Sequence, residues 1–120
     1  LKKTQLLKGV LEGCVLLIIQ EKEVYGYELV QQLKLSGFTD IVGGTVYPLL
    51  QKLEKNELTT SVKKPSKDGP DRKYYQITPK GKEYCQEFIQ NWQELESSVH
   101  NLIDKGGKKD DKNAGNDPAK

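Results

Sequence analysis

Val46, Leu49, Leu50 and Leu53 recur at helical spacing in the stretch Thr45–Lys55, and the strand-forming runs after them forbid a simple bundle of helices. That spacing sets the four apolar side chains on one face of a helix and turns Thr45, Gln51, Lys52 and Lys55 outward. Pro48 is tolerated near a helix start, where its missing N–H has no intrahelical partner to lose, so the helix is expected to begin within about a turn of it. Two runs rich in β-branched and aromatic residues come next, Leu58–Val62 and Tyr74–Thr78. Between them lie Lys63, Lys64, Lys67, Arg72 and Lys73 around an Asp68-Gly69-Pro70 turn signal, a segment that reads as too long for a tight two-residue hairpin.

A helix followed by a hairpin with a cationic tip is a winged-helix arrangement. Such a helix fits a major groove, while the wing follows the phosphates. The expected DNA contacts are Thr45, Tyr47, Gln51 and Lys52 on the helix, and Lys63, Lys64, Lys67, Arg72 and Lys73 on the wing. Tyr47 has a second reading, in which the ring packs inside and only the hydroxyl reaches a phosphate. The bland alternative for all nine is a solvated surface.

Charge is distributed unevenly along the 120 residues. The net value is only +2, yet residues 45–82 hold nine Lys/Arg against four Asp/Glu, and residues 83–104 hold five acids and no Lys or Arg. The basic segment suits a polyanion, the acidic one protein or solvent. A hydrophobic fraction of 35% leaves a modest core for one small domain, so burial against a partner subunit helps stability. Cys14 and Cys85 make no disulfide scaffold; Cys14 reads as a small buried hydrophobe, and Cys85 has no cationic neighbours that would make it a redox thiol. One His and two separated Cys give no convincing metal site, and no cofactor is expected. No run of apolar residues is long enough to span a bilayer, no signal-peptide pattern is present, and a cytoplasmic protein without membrane partners fits best.

Earlier in the chain, Thr4–Gln20 reads as one helix, amphipathic at first and apolar all round over Val15–Ile19. Lys2, Lys3 and Lys8 near its start are either solvated or an auxiliary phosphate clamp. Tyr25, Leu29, Val30 and Leu33 mark a second helix, ended at Ser36-Gly37, where glycine suits a left-handed position. A short connection then leads to the helix at Thr45, which completes a helix-turn-helix unit. Gly43-Gly44 reads as room for close approach to DNA or to a neighbouring helix. Thr78-Pro79 is a strong helix start, with Thr as N-cap and Pro at the first position. From there Tyr84, Phe88, Trp92, Leu95, Val99 and Leu102 step by three and four residues, close to a coiled-coil seam. The long helix so marked is expected to end at Gly106-Gly107, with a disordered polar tail beyond it. Its exposed stripe needs a cover, and a symmetry mate is the simplest one.

Four blocks carry a resemblance: Leu6–Cys14, Tyr25-Gly26-Tyr27-Glu28-Leu29, Gly44-Thr45-Val46-Tyr47-Pro48-Leu49-Leu50 and Arg72–Gly81. In order and spacing they resemble the PadR family of bacterial transcriptional regulators, specifically its short branch with a single C-terminal helix. The resemblance implies a homodimer that represses nearby genes from double-stranded operator DNA until a small molecule binds. It also implies that Trp92, the sole Trp, helps form a flat site for a planar aromatic effector between subunits; packing of the dimer is the competing role. Val42-Gly43 stands where the family usually has Ser or a similar cap, which allows the helix start to shift by a residue or two. The expected fold is therefore mainly α with a small β-hairpin, a winged helix-turn-helix (1–78) plus a long C-terminal dimerisation helix (79–105) and a tail (106–120). A winged helix used only for protein–protein assembly is the alternative. An enzyme is not supported, since the sequence offers no nucleophile–base set, carboxylate pair or nucleotide motif.

Overall fold

The computed structural model describes residues 1–112. It contains α1 (Lys3–Leu6), α2 (Leu11–Glu21), β1 (Val24–Tyr25), α3 (Gly26–Leu35), α4 (Gly43–Lys55), β2 (Thr59–Ser66), β3 (Gly69–Ile77) and α5 (Pro79–Lys112). The three strands form one antiparallel sheet in the order β1-β3-β2. Residues 1–86 make one compact unit, and the described residues from 87 onward belong to a second.

Within the first unit, α2, α3 and α4 bury one stripe each. Val15, Leu16 and Ile19 of α2, Leu29 and Leu33 of α3, and Val46, Leu50 and Leu53 of α4 are almost wholly enclosed. Val24, Tyr75 and Cys85 close the core from β1, β3 and the start of α5. Each buried Leu contributes about 1.5–3 kcal/mol relative to exposure, so these eight residues carry much of the unit's stability. Cys14 is only half-buried and packs at the edge of this core, less enclosed than the sequence suggests.

The helix ends are set by local chemistry. Gly37 sits at φ +115, and the N–H groups of Gly37 and Phe38 return to the carbonyls of Lys34 and Leu33, as the Ser36-Gly37 stop predicts. At α5 the N–H of Gly81 donates to Thr78 Oγ1 at 2.9 Å, so Thr78 is the N-cap and Pro79 the first helical residue. The Thr78 hydroxyl also lies 2.8 Å from the Glu57 carbonyl oxygen and 3.0 Å from that of Leu58, which ties the end of α4 to the start of α5.

Several expectations need correction. The segment Thr4–Gln20 is not one helix: Gly9 at φ +83 separates the single turn α1 from α2. A residue in that left-handed conformation breaks the hydrogen-bond ladder, and glycine takes it without steric cost. Pro48 is the sixth residue of α4 rather than one of its first four, so its missing N–H does cost a partner. The unmet carbonyl belongs to Gly44, which is exposed and open to water. Gly44 has no atom near its missing side chain, while Gly43 packs against the ring of Tyr47 from its own helix; the neighbour that needed room is a side chain. Tyr25, expected as the first apolar residue of the second helix, instead forms with Val24 a third strand on β3. Lastly, α5 runs through Gly106-Gly107 to Lys112. Glycine in a helix costs only about 1 kcal/mol, which a long hydrogen-bonded helix absorbs. The rest of the tail expected to be disordered lies outside the described residues.

Candidate nucleic-acid interface

The exposed face of α4 is an arc of polar and small residues. At 100° per residue, Gln51 and Lys55 share its centre with Gly44 and Pro48. Thr45 and Lys52 stand at one margin and Tyr47 at the other. All four expected helix contacts are exposed. Lys55 lies at the centre of the face but was not among the expected contacts; its signal was available, since helical spacing already turned it outward.

The wing is longer and tighter than its sequence suggests. β2 and β3 pair from Thr59↔Ile77 out to Ser66↔Gly69, leaving only Lys67 and Asp68 as the turn. The register slips between Lys64 and Ser66, at Pro65, which cannot donate to the ladder. The strands therefore include the basic residues that seemed to belong to a loop. Two cross-strand pairs are cation against cation, Lys63↔Lys73 and Lys64↔Arg72. Like charges directly opposite destabilise a hairpin unless other groups offset them.

Strand alternation also sorts these cations. Lys63 and Lys73 share one face of the hairpin, Lys64 and Arg72 the other, with Lys67 at the tip. The five expected wing contacts are thus not gathered on a single surface. Aromatic rings and carboxylates offset the repulsion on both faces. Arg72 lies over the Tyr25 ring at 4.5 Å, Lys64 over Tyr74 at 5.0 Å and Lys73 over Tyr75 at 5.4 Å. Tyr74 meets Tyr25 edge to face at 5.3 Å, and Tyr27 stacks beside Tyr25.

Three of the expected contacts already hold an acidic partner. Lys52 bonds to Glu12 at 2.8 Å, Lys73 to Glu54 at 2.8 Å, and Lys64 to Glu23. The Lys64 ammonium and then the Gln76 amide hold the Glu23 carboxyl below its usual range. Lys73 and then Ser61 do the same for Glu54. Glu12 in turn raises Lys52, and Glu54 raises Lys73. These pairs are solvent-exposed and individually weak, so a phosphate can compete for each lysine. Among the described residues Lys63, Lys67 and Arg72 have no such ion pair. Sequence reasoning missed the three glutamates because each lies far along the chain from its lysine, with Glu12 and Glu23 40 and 41 positions from Lys52 and Lys64.

In the second unit the α5 residues Ile89, Trp92, Leu95, Val99, Leu102 and Ile103 are exposed, Trp92 to 40%. Their spacing of three and four keeps them on one side of the helix. Tyr84 belongs to the first unit and is half-buried; burial, ahead of the nearby Glu12, raises its phenol. Burial likewise raises the Cys14 and Cys85 thiols, which disfavours their thiolate forms. Among the described residues no group of His, Cys, Asp and Glu is placed to hold a metal, and no helix is long and apolar enough to cross a membrane.

Three helices with an antiparallel wing and an outward-facing α4 define the class, a winged helix-turn-helix protein. The model for the transcriptional regulator PadR-like family matches residues 15–87, more than half of the chain, and the chain belongs to that family. A Streptococcus transcriptional regulator of known structure is 55% identical, with 84% of this chain and 99% of that one covered and a TM-score of 0.75. A PadR-like transcriptional regulator from Bacillus cereus is 50% identical, with 82% and 96% covered and a TM-score of 0.75. An uncharacterized protein of Lysinibacillus sphaericus is 33% identical over 99 residues, 81% of this chain and 91% of its own length. The protein is a transcriptional regulator and not an enzyme.

Proposed function

We propose that the chain is a sequence-specific DNA-binding repressor that acts as a homodimer and leaves its operator when a small planar aromatic effector binds near Trp92. The observation that carries this reading is the hairpin's pair of like-charged rungs, Lys63↔Lys73 and Lys64↔Arg72, beside the exposed polar face of α4. A polyanion adds attraction to these rungs, whereas a protein partner gains the same only if it presents an acidic surface. In this reading α4 enters the major groove with Gln51 and Lys55 at its centre and Thr45, Tyr47 and Lys52 at its margins. Lys63, Lys64, Lys67, Arg72 and Lys73 lie along the phosphates on either side of the wing. The dimer is supported by the apolar stripe on α5, which includes Leu102 at 72% exposure and asks for a second copy.

Selection of duplexes from a random-sequence library tests the DNA reading. The expected outcome is enrichment of a two-fold symmetric sequence with half-sites about one helical turn apart. A library that returns unenriched would remove the proposal. The effector is read on Trp92 itself: stacking of a planar compound on the single indole quenches its fluorescence. If no planar compound that releases the DNA alters that emission, Trp92 serves the dimer alone.

A further inference from the structure

Tyr47 fills a slot made by two glycines that open neighbouring helices. Gly26 is the first residue of α3, and Gly43 the first residue of α4, one turn before Tyr47. A Cβ on Gly43 would stand 2.7 Å from Tyr47 Cε2 and 3.2 Å from Cδ2. A Cβ on Gly26 would meet the opposite edge, at Cδ1 and Cε1, closer still. Real Cβ atoms do not approach so near, so neither position admits a larger residue while the ring stays where it is. Both edges of the ring are gripped, yet the residue is 47% exposed. A ring that served only to pack these helices together would gain more from full burial and would need no hydroxyl.

We propose that Gly26 and Gly43 are positioning residues that fix the Tyr47 ring, so that its hydroxyl meets a DNA phosphate at the margin of the α4 face. The inference rests on the DNA-binding reading above and names the part of it that depends on these glycines. With both ring edges held, the two side-chain torsions are set before any duplex arrives. The hydroxyl then stands at a fixed distance from α3 and α4 together, and no ordering of the side chain opposes binding. Hydrogen bonds weaken steeply outside their narrow distance range. Moving the ring by the ångström or so that a methyl group on Gly26 demands therefore takes the hydroxyl out of that range.

The test is a double-mutant cycle on the full chain, read by fluorescence anisotropy on a labelled mixed-sequence duplex of roughly 30 base pairs, long enough for two half-sites. Tyr47→Phe should weaken binding about tenfold, the usual consequence of losing a hydrogen bond to a charged group. Gly26→Ala and Gly43→Ala should each weaken it by a similar factor, and Gly26→Ala should add less than about twofold in the Tyr47→Phe background. Thermal melting covers the case in which an added methyl disturbs folding. Gly26→Ala should lower Tm by about 5 °C in the wild-type background and by much less with Tyr47→Ala, where the slot is empty. The proposal is overturned if Tyr47→Phe binds like wild type, or if Gly26→Ala weakens Tyr47→Phe as much as it weakens wild type. It is equally overturned if Gly26→Ala costs the same Tm with the ring removed. Failure of the wild type itself to bind this duplex at low salt would instead sink the DNA reading, and this inference with it.

Discussion

Glu57 shows how much a single backbone angle can hide from sequence. It takes φ 64 just after α4, and the N–H groups of Glu57 and Leu58 return to the carbonyls of Glu54 and Leu53. This is the same stop that Gly37 makes after α3, built with a residue that pays a steric penalty for it. Glu57→Gly should therefore stabilise the fold by about 0.5–1 kcal/mol, the difference between relieved strain and the extra freedom of an unfolded glycine. A Tm that rises a few degrees would match this expectation; a Tm that falls would show that the Glu57 side chain contributes something the strain argument omits. The stop at Gly37 was legible because glycine advertises its conformation, and the cap at Thr78 because Thr-Pro advertises a helix start. Nothing in the residue type marks Glu57. Gly26 and Gly43 were ambiguous for a different reason: a missing side chain makes room, but sequence does not say for what.

At the scale of elements, periodicity carried α3, α4 and α5, since each shows an apolar stripe at helical spacing. It failed where tertiary pairing overrode local preference. Lys63, Lys64, Pro65, Asp71, Arg72 and Lys73 are poor strand formers, yet all lie in β2 or β3 because the ladder is anchored at Thr59↔Ile77 and Ser61↔Tyr75 in the core. β1 has only two residues and no local signature; it exists because β3 offers it an edge. The split between α1 and α2 was missed because apolar residues continue at helical spacing on both sides of Gly9. The candidate interface was legible as a list of outward residues on α4 and cations on the wing. Its two-faced wing and its glutamate partners were not, because both depend on register. The two elements should divide the work. Gln51→Ala, at the centre of the α4 face, should change which duplexes are preferred, with the salt dependence intact. Lys67→Ala, at the wing tip with no acidic partner among the described residues, should weaken all duplexes alike. It should also reduce the slope of log affinity against log salt by about 0.9 for each phosphate no longer neutralised. Indistinguishable effects from the two substitutions would contradict that division.

For the whole molecule, the separation of charge along the chain corresponds to two units with different surfaces. Residues 1–86 carry the polar α4 face and the cationic wing, and the second unit carries a helix that is acidic up to Asp104 and bears an apolar stripe. The stripe is held to join two copies, and the pair to engage one duplex. Sedimentation velocity of the protein alone and with a selected duplex tests this most directly, for the wild type and for Leu95→Glu. Leu95 is 56% exposed, so a charge there spares the fold of its own chain while breaking an apolar contact between copies. The wild type is expected to sediment as a dimer and to bind with two copies per duplex, while Leu95→Glu sediments as a monomer and loses most of its affinity. A wild type that stays monomeric, or a monomeric Leu95→Glu that binds the duplex as tightly as wild type, would contradict the shared-duplex dimer.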